Sequence, residues 1–189
     1  MKHFFILCLI LSLAACGSTS GINTENAKKL NLSSYDNAVV LDFLDSTKPS
    51  ESTKPSDSKA FAGKKFADLI ATHINAEGVF KNVSRVPLKE KSVVISGAIT
   101  KYDEGNATLR WLIGFGAGSS HFDANVKITD SVSNNELGAI VVDKHSWAGG
   151  GIMASAQTPE GFMDGAAKKI AQEVANTKKN TSGNIVTKD

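Results

Sequence analysis

Cysteine is scarce, and both copies lie where they cannot serve a fold. The 189 residues hold two, Cys8 and Cys16, near the N-terminal end. The chain beyond Cys16 has no thiol, which excludes a disulfide framework, a cysteine zinc site and a thiol nucleophile there. Stability has to come from an apolar core. Charge imbalance is missing as well: 21 Lys and Arg face 19 Asp and Glu, with no basic block and no interleaved aromatic pattern. That removes the electrostatic footprint of a nucleic-acid binder. Long hydrophobic runs are absent too. The longest, Phe4 to Leu13, reaches roughly 15 Å as a helix, about half of a bilayer's hydrocarbon core, and is too short for a permanent span. Signatures of catalysis are equally thin. There is no G-x-x-x-x-G-K-[ST] phosphate loop and no G-x-S-x-G nucleophile elbow.

What is present begins with "MKHFFILCLILSLAAC": a basic Lys2, the apolar run, then small Ala14 and Ala15 before Cys16. That order is expected of a secretory signal, residues 1–15. Leu13-Ala14-Ala15-Cys16 resembles the lipobox of bacterial lipoproteins. The resemblance implies cleavage after Ala15, a diacylglycerol on the Cys16 thiol and a further acyl chain on its amine. Gly17, where an aspartate would retain such a protein in the inner membrane, implies delivery to the outer membrane, facing the periplasm. The membrane contact is then lipid, since several acyl chains hold far more firmly than one.

Residues 16–34 are small and polar and read as the lipidated tether. Residues 35–176 read as one α/β domain, and 177–189 as a disordered polar tail. Inside the domain, "STKPSE" at Ser46 to Glu51 repeats as "STKPSD" at Ser52 to Asp57. Neither copy has an apolar side chain beyond proline to bury, so 46–58 is expected to be a solvated low-complexity loop.

The remaining pattern alternates strands and helices. Ala38 to Leu44 is a short valine-rich run suited to a buried strand. From Lys59 to Glu77, Ala62, Phe66, Leu69, Ile70, His73 and Ile74 form one helical stripe, with Gly78 at the C-cap position. Phe80 to Val86 and Ser92 to Tyr102 read as strands. In "SHFDANVKITD" Phe122, Ala124, Val126 and Ile128 alternate with polar neighbours, as a half-buried antiparallel strand requires. Its partner is Leu137 to Trp147, across a turn at Ser131 to Asn135. Thr158 is a good N-cap with Pro159 at N1. The stripe Met163, Ala166, Ala167, Ile170, Ala171, Val174 then predicts a helix ending near Ala175. The expected fold is α/β of the α+β kind, a single domain in the order β-α-β-β-β-β-α, with a mostly antiparallel sheet and two helices on one face.

This order places two glycine-rich segments at the same end of the sheet. One is "WLIGFGAGSS", with Gly114, Phe115, Gly116 and Gly118; the other surrounds Gly149, Gly150 and Gly151. The first is no dinucleotide cradle, because Ser119 stands where the third glycine belongs and a strand follows instead of a helix. Small residues permit close backbone approach, so a subunit contact or an interfacial membrane contact suits the pair better. Arg110 and Trp111 precede the first segment and are candidate contact anchors, with a solvated cation and a lid on the sheet as the plainer roles.

The stretch from Ser96 to Gly138, with Arg110 ahead of G-F-G-A-G, the alternating strand and the Asp-led turn, followed by Gly149 to Gly151, resembles a family of uncharacterised bacterial envelope lipoproteins. Asn134 stands at the turn where that family has glycine, and asparagine tolerates the left-handed conformation. The resemblance implies a lipoprotein domain and no particular activity. The layout is also similar to periplasmic α/β domains of envelope-assembly and secretion lipoproteins.

One cluster points to metal chemistry. If Asp130 opposes Glu136, His121 faces His145 and Asp123 faces Asp143 on one surface, a set able to bind zinc or a similar ion. A two-residue turn at Asn134 and Asn135 instead pairs Phe122 with Trp147 and scatters the four, so register decides. The plainer role of these residues is a solvated strand face, and His73 reads as a core histidine. The sequence reading is thus a lipid-anchored envelope protein without catalysis or cofactor, contacting envelope proteins or its own copies through the glycine-rich end. The alternatives are a metal-binding protein or metal-dependent enzyme, and a subunit of a membrane pore or secretion assembly.

Overall fold

A computed structural model describes residues 20–23, 30–47, 57–113, 118–146 and 157–183. In chain order these form β1 (Ser20–Asn23), β2 (Asn37–Val40), β3 (Leu44–Asp45), α1 (Asp57–Glu77), β4 (Asn82–Ser84), β5 (Ser92–Asp103), α2 (Ala107–Leu112), β6 (His121–Asp130), β7 (Glu136–His145) and α3 (Pro159–Gly183). The strands make one sheet in the order β1-β7-β6-β5-β2-β4, with β3 also paired to β5.

The sheet has two characters. From β5 onward it is an antiparallel meander, β5 to β6 to β7, with β1 antiparallel on the outer edge of β7. On the other side β2 lies parallel to both β4 and β5. Parallel neighbours need a crossover, and α1 supplies it between β2 and β4. The single α/β domain and the order of its longer elements are those expected from the sequence. The short strands β1 and β3 and the short helix α2 carry too little periodicity to be read there.

Helix α1 forms because Ala62, Phe66, Ile70 and Ile74 recur on one stripe, and all four are buried. Gly78, at φ 66°, ends it by donating to the Asn75 carbonyl at 3.1 Å. Helix α3 starts as its sequence demands: Thr158 Oγ1 accepts from Gly161 N at 3.2 Å, and Met163, Ala166, Ala167, Ile170, Ala171 and Val174 are buried. Together these stripes meet Val93, Ile95, Ile99, Phe122, Ala124, Val126 and Ile128 from one face of the sheet in a single core. Phe66 sits at its centre, edge-on to Phe43 at 4.9 Å and to Phe122 at 5.0 Å. His73 does not lie in that core. It meets Asp164 at 3.0 Å, 26 % exposed, and so bridges the two helices at their solvent margin.

Several boundaries differ from the sequence reading: α1 starts at Asp57, inside the expected 46–58 loop, and the strand expected over Phe80 to Val86 narrows to Asn82–Ser84. Ser20–Asn23, assigned to the tether, pair with β7, and Leu32 is wholly buried, because backbone pairing and one core leucine leave no periodic signature. The first strand stops at Val40 and Leu44 turns outward, 71 % exposed, while Arg85 holds that corner through Asp68 at 2.7 Å, Asp42 and the Val40 carbonyl. The last helix runs past Ala175 to Gly183, so residues 177–183, expected in a disordered tail, are helical. Lysine contacts hold its polar extension: Lys178 reaches the Tyr35 carbonyl and lies over the Phe80 ring, and Lys179 reaches Glu77.

Candidate functional site

Two connections close the antiparallel meander, one at each end, and they differ in kind. At the first, residues 131–135 join β6 to β7. Asp130 Oδ1 accepts from Val132 N at 2.9 Å, Ser133 N at 2.7 Å and Ser133 Oγ at 3.1 Å, while Tyr35 Oη donates to Oδ2 at 2.6 Å. These donors, the Tyr35 hydroxyl first, hold the Asp130 carboxyl well below the usual aspartate range. Burial, reinforced by that carboxylate, pushes the Tyr35 phenol up to about 12. Asn134 takes the left-handed conformation, φ 57°, as its place in the sequence suggested.

The opposite end is the rim that the sequence singled out. Its base is stitched tightly. Ser120 N donates to Ser146 Oγ and Ser146 N to the Ser120 carbonyl, both at 3.0 Å, and Ser120 Oγ donates to the Gln157 carbonyl at 3.0 Å. Both serines are buried. Tyr102 Oη donates to Glu160, tying the end of β5 to the first turn of α3, and burial followed by that carboxylate raises the phenol pKa. None of these serines was distinguishable in sequence, since a serine at a strand end looks like any surface serine.

Above this base the β5–β6 connection opens outward. Asn106 caps α2 by accepting from Leu109 N at 3.0 Å, and its own N donates to the Gly118 carbonyl at 2.9 Å. Gly118, at φ 67°, is required there: a Cβ would stand 2.6 Å from the Asn106 carbonyl oxygen. The loop is therefore pinned at its neck. Beyond the neck, Leu109, Trp111, Leu112 and Ile113 are 39 %, 57 %, 69 % and 55 % exposed. Four large apolar side chains within five consecutive residues form an exposed cluster, not the scattered singles of an ordinary surface. Of the other proposed contact residues, Arg110 is a helical residue of α2. Cys16, Gly114, Phe115, Gly116, Trp147, Gly149, Gly150 and Gly151 lie outside the described residues.

The histidine and aspartate set occupies the helix-free face just below the rim. Register there is the one that unites it: His121 opposes His145 and Asp123 opposes Asp143, because the shift in pairing falls later, between Ile128 and Thr129. The two imidazole rings lie 6.1 Å apart, and His145 Nδ1 is 3.6 Å from Asp143 Oδ1. Burial, then the charge of Asp143, raises the Asp123 carboxyl. His121 Nδ1 and Asp123 Oδ1 are shielded from solvent without a hydrogen-bond partner. Proximity stops short of convergence: among the described residues no three His, Cys, Asp or Glu side chains are arranged to hold a metal ion.

A cleft of about 340 Å³ opens farther along this face, under the β4–β5 connection. It is lined by Val39, Leu41, Pro87, Leu88, Val94 and Ser96 with Thr129, Ser131 and Asn134. No charged side chain among the described residues lines it; its polar groups are the hydroxyls of Ser96, Thr129 and Ser131 and the Asn134 amide. Among the described residues no helix is long and apolar enough to cross a membrane.

Several solved structures are similar to this chain. A point variant of the PelC dodecamer from Paraburkholderia phytofirmans matches with a TM-score of 0.53 at 13 % identity, over 84 % of this chain and 98 % of that one. A second PelC dodecamer structure from the same organism gives 0.48 at 14 % identity, over 79 % and 96 %. A protein of Xanthomonas campestris assigned to the DUF330 family gives 0.49 at 10 % identity, over 83 % and 94 %. At such identities the likeness is one of fold. No curated protein matches the sequence. Residues 26–150, which span β2 to β7 with both candidate ends of the meander, match the model of a domain of unknown function, DUF4410, and the chain belongs to that family.

Proposed function

We propose that this chain is a lipid-anchored, non-catalytic protein of the bacterial cell envelope, held at the outer membrane through Cys16 and facing the periplasm, whose rim docks other envelope proteins or further copies of itself. One observation carries the reading: Leu109, Trp111, Leu112 and Ile113 stand exposed together on a loop whose neck and base are rigidly bonded. A pinned loop presenting apolar side chains is built for contact, since a monomer gains nothing from keeping them in water. The glycine-rich segments follow Ile113 and Ser146 in the sequence, and glycine permits the close backbone approach that protein contacts exploit. Assembly of copies is supported further by the dodecameric state of PelC, whose fold this chain shares.

The test is site-specific photocrosslinking in living cells from Phe115, within the glycine-rich segment, with Val132 as control. Val132 is 73 % exposed, but at the opposite end of the sheet. Discrete adducts from position 115 and none from 132 are expected. Equal patterns from the two positions would remove the docking rim. Labelling with a palmitate analogue in wild type and Cys16→Ser tests the anchor separately, label being expected in the wild type alone.

A further inference from the structure

We infer that, within the rim, the α2 side chains Trp111 and Leu112, with Ile113 at its C-cap, rest in the surface of the membrane that carries the anchor, which leaves the glycine-rich segments for the protein contact proposed above; this depends on the proposed lipidation of Cys16. The argument comes from the register of β1. Ser20 opposes Val142 and Asn23 opposes Ala139, so β1, followed backwards towards its N-terminus, runs towards the His145 end of β7. From the level of Val142 to that of His145 is three residues, about 10 Å of strand. Cys16 lies four residues before Ser20, and a fully extended chain of that length reaches at most roughly 14 Å. Cys16 is thereby kept within that distance of Ser20, and a chain that keeps the course of β1 brings it to the His145 end of the sheet.

That end is the rim. His145 opposes His121, and His121 opposes Asp103, from which the α2 connection departs. In the sheet order β1-β7-β6-β5, three strand spacings separate the anchored edge from the strand that leads into α2, about 14 Å at ordinary spacing. A flat leaflet that holds the Cys16 lipid at this end lies over α2. The side chains found there suit it. Tryptophan prefers the membrane–water interface, and leucine and isoleucine bury in the adjoining acyl region. The opposite end of the sheet, which the anchor does not reach, exposes Val132 alone among large apolar side chains of its turn.

Charge is close to balanced: exposed Asp103 and Glu104 beside α2 are offset by exposed Lys101 and by Arg110 of α2 itself, which leaves an anionic membrane little net attraction. Contact is apolar, and it is expected to be insensitive to salt.

Trp111 reports on this directly, because the chain has two tryptophans and Trp147→Phe leaves it alone. The mature acylated protein carrying that change is reconstituted into vesicles of phosphatidylethanolamine with a minority of phosphatidylglycerol. Trp111 emission is expected to shift to the blue and to lose roughly half its intensity when the lipid acyl chains are brominated, as for an indole at the interface. Unchanged position and intensity with brominated lipid, together with full quenching by aqueous iodide, would overturn the inference. So would a Trp111 shielded from iodide by a second copy or another protein but untouched by bromine. Should palmitate labelling show that Cys16 is not acylated in cells, its thiol coupled to a maleimide lipid supplies the same leash. Bromine quenching in that arm supports the seating of α2 although the natural anchor has failed, and its absence overturns the seating. Leu112→Ser with Ile113→Ser, which leaves Trp111 in place, is expected to abolish the blue shift; retention of the shift would count against insertion.

Discussion

The two connections of the β5–β6–β7 meander use opposite means to close a strand pair. The β6–β7 turn is held from within, because the Asp130 carboxylate accepts from Val132, Ser133 and Tyr35. The β5–β6 connection is pinned at its neck by Asn106 and Gly118 and leaves Leu109, Trp111, Leu112 and Ile113 exposed. The sheet needs the first and tolerates the second. This contrast separates residues that maintain the fold from residues available for contact, and substitutions at the two ends should sort accordingly.

The largest loss of stability is expected from Asp130→Asn. The carboxylate accepts from several donors at once, and an amide keeps only part of that capacity while presenting its own donors to Tyr35 and Ser133. Its pH dependence follows from the lowered carboxyl pKa. The unfolded aspartate titrates near about 3.9, so the stabilisation is complete above that value. It is lost progressively as pH falls through the lower folded value. Urea melts at descending pH should show the wild type losing this increment and Asp130→Asn flat for it; parallel profiles would mean the turn is not held by charge.

Tyr35→Phe comes next, at about 1 kcal/mol for the removed hydrogen bond. The phenol pKa is raised to about 12, which favours the protonated form in the folded protein. Its contribution is therefore full below the unfolded value near 10 and lost as pH rises through 12. The variant should lack that alkaline decline, read as the difference between wild-type and variant unfolding midpoints above pH 10.

Legibility in the sequence divides along the same line. Elements with a repeating apolar pattern could be read: the Phe66 stripe of α1, the Met163 stripe of α3 and the strict alternation of β6 each stamp the core's geometry on consecutive residues. Asn134 was legible because few residues accept a left-handed turn. The parallel half of the sheet was not, since β2 pairs with β4 and β5 through backbone groups that leave no trace in side-chain identity. Strand β1 was missed for the same reason. At the candidate site, the rim's position followed from strand order, and the union of His121 with His145 hung on register, which the bulge at Thr129 fixes and the sequence left open. The buried Ser120–Ser146 pair and the α2 cap had no signal stronger than a polar residue beside a strand.

The smallest effect on folding is expected where the effect on contact is greatest. Trp111→Ser combined with Leu112→Ser alters side chains already more than half in water. Little burial is forfeited and no buried polar group is orphaned, so the change in unfolding free energy should stay within roughly 0.5 kcal/mol. The same double variant should reduce adducts formed at Phe115, since the apolar surface that positions the loop is gone. A stability loss as large as that of Tyr35→Phe would show that these side chains pack against the segments flanking them and belong to the fold. A preserved fold with lost adducts would instead assign the two ends of one meander to two tasks, cohesion at Asp130 and contact at Trp111.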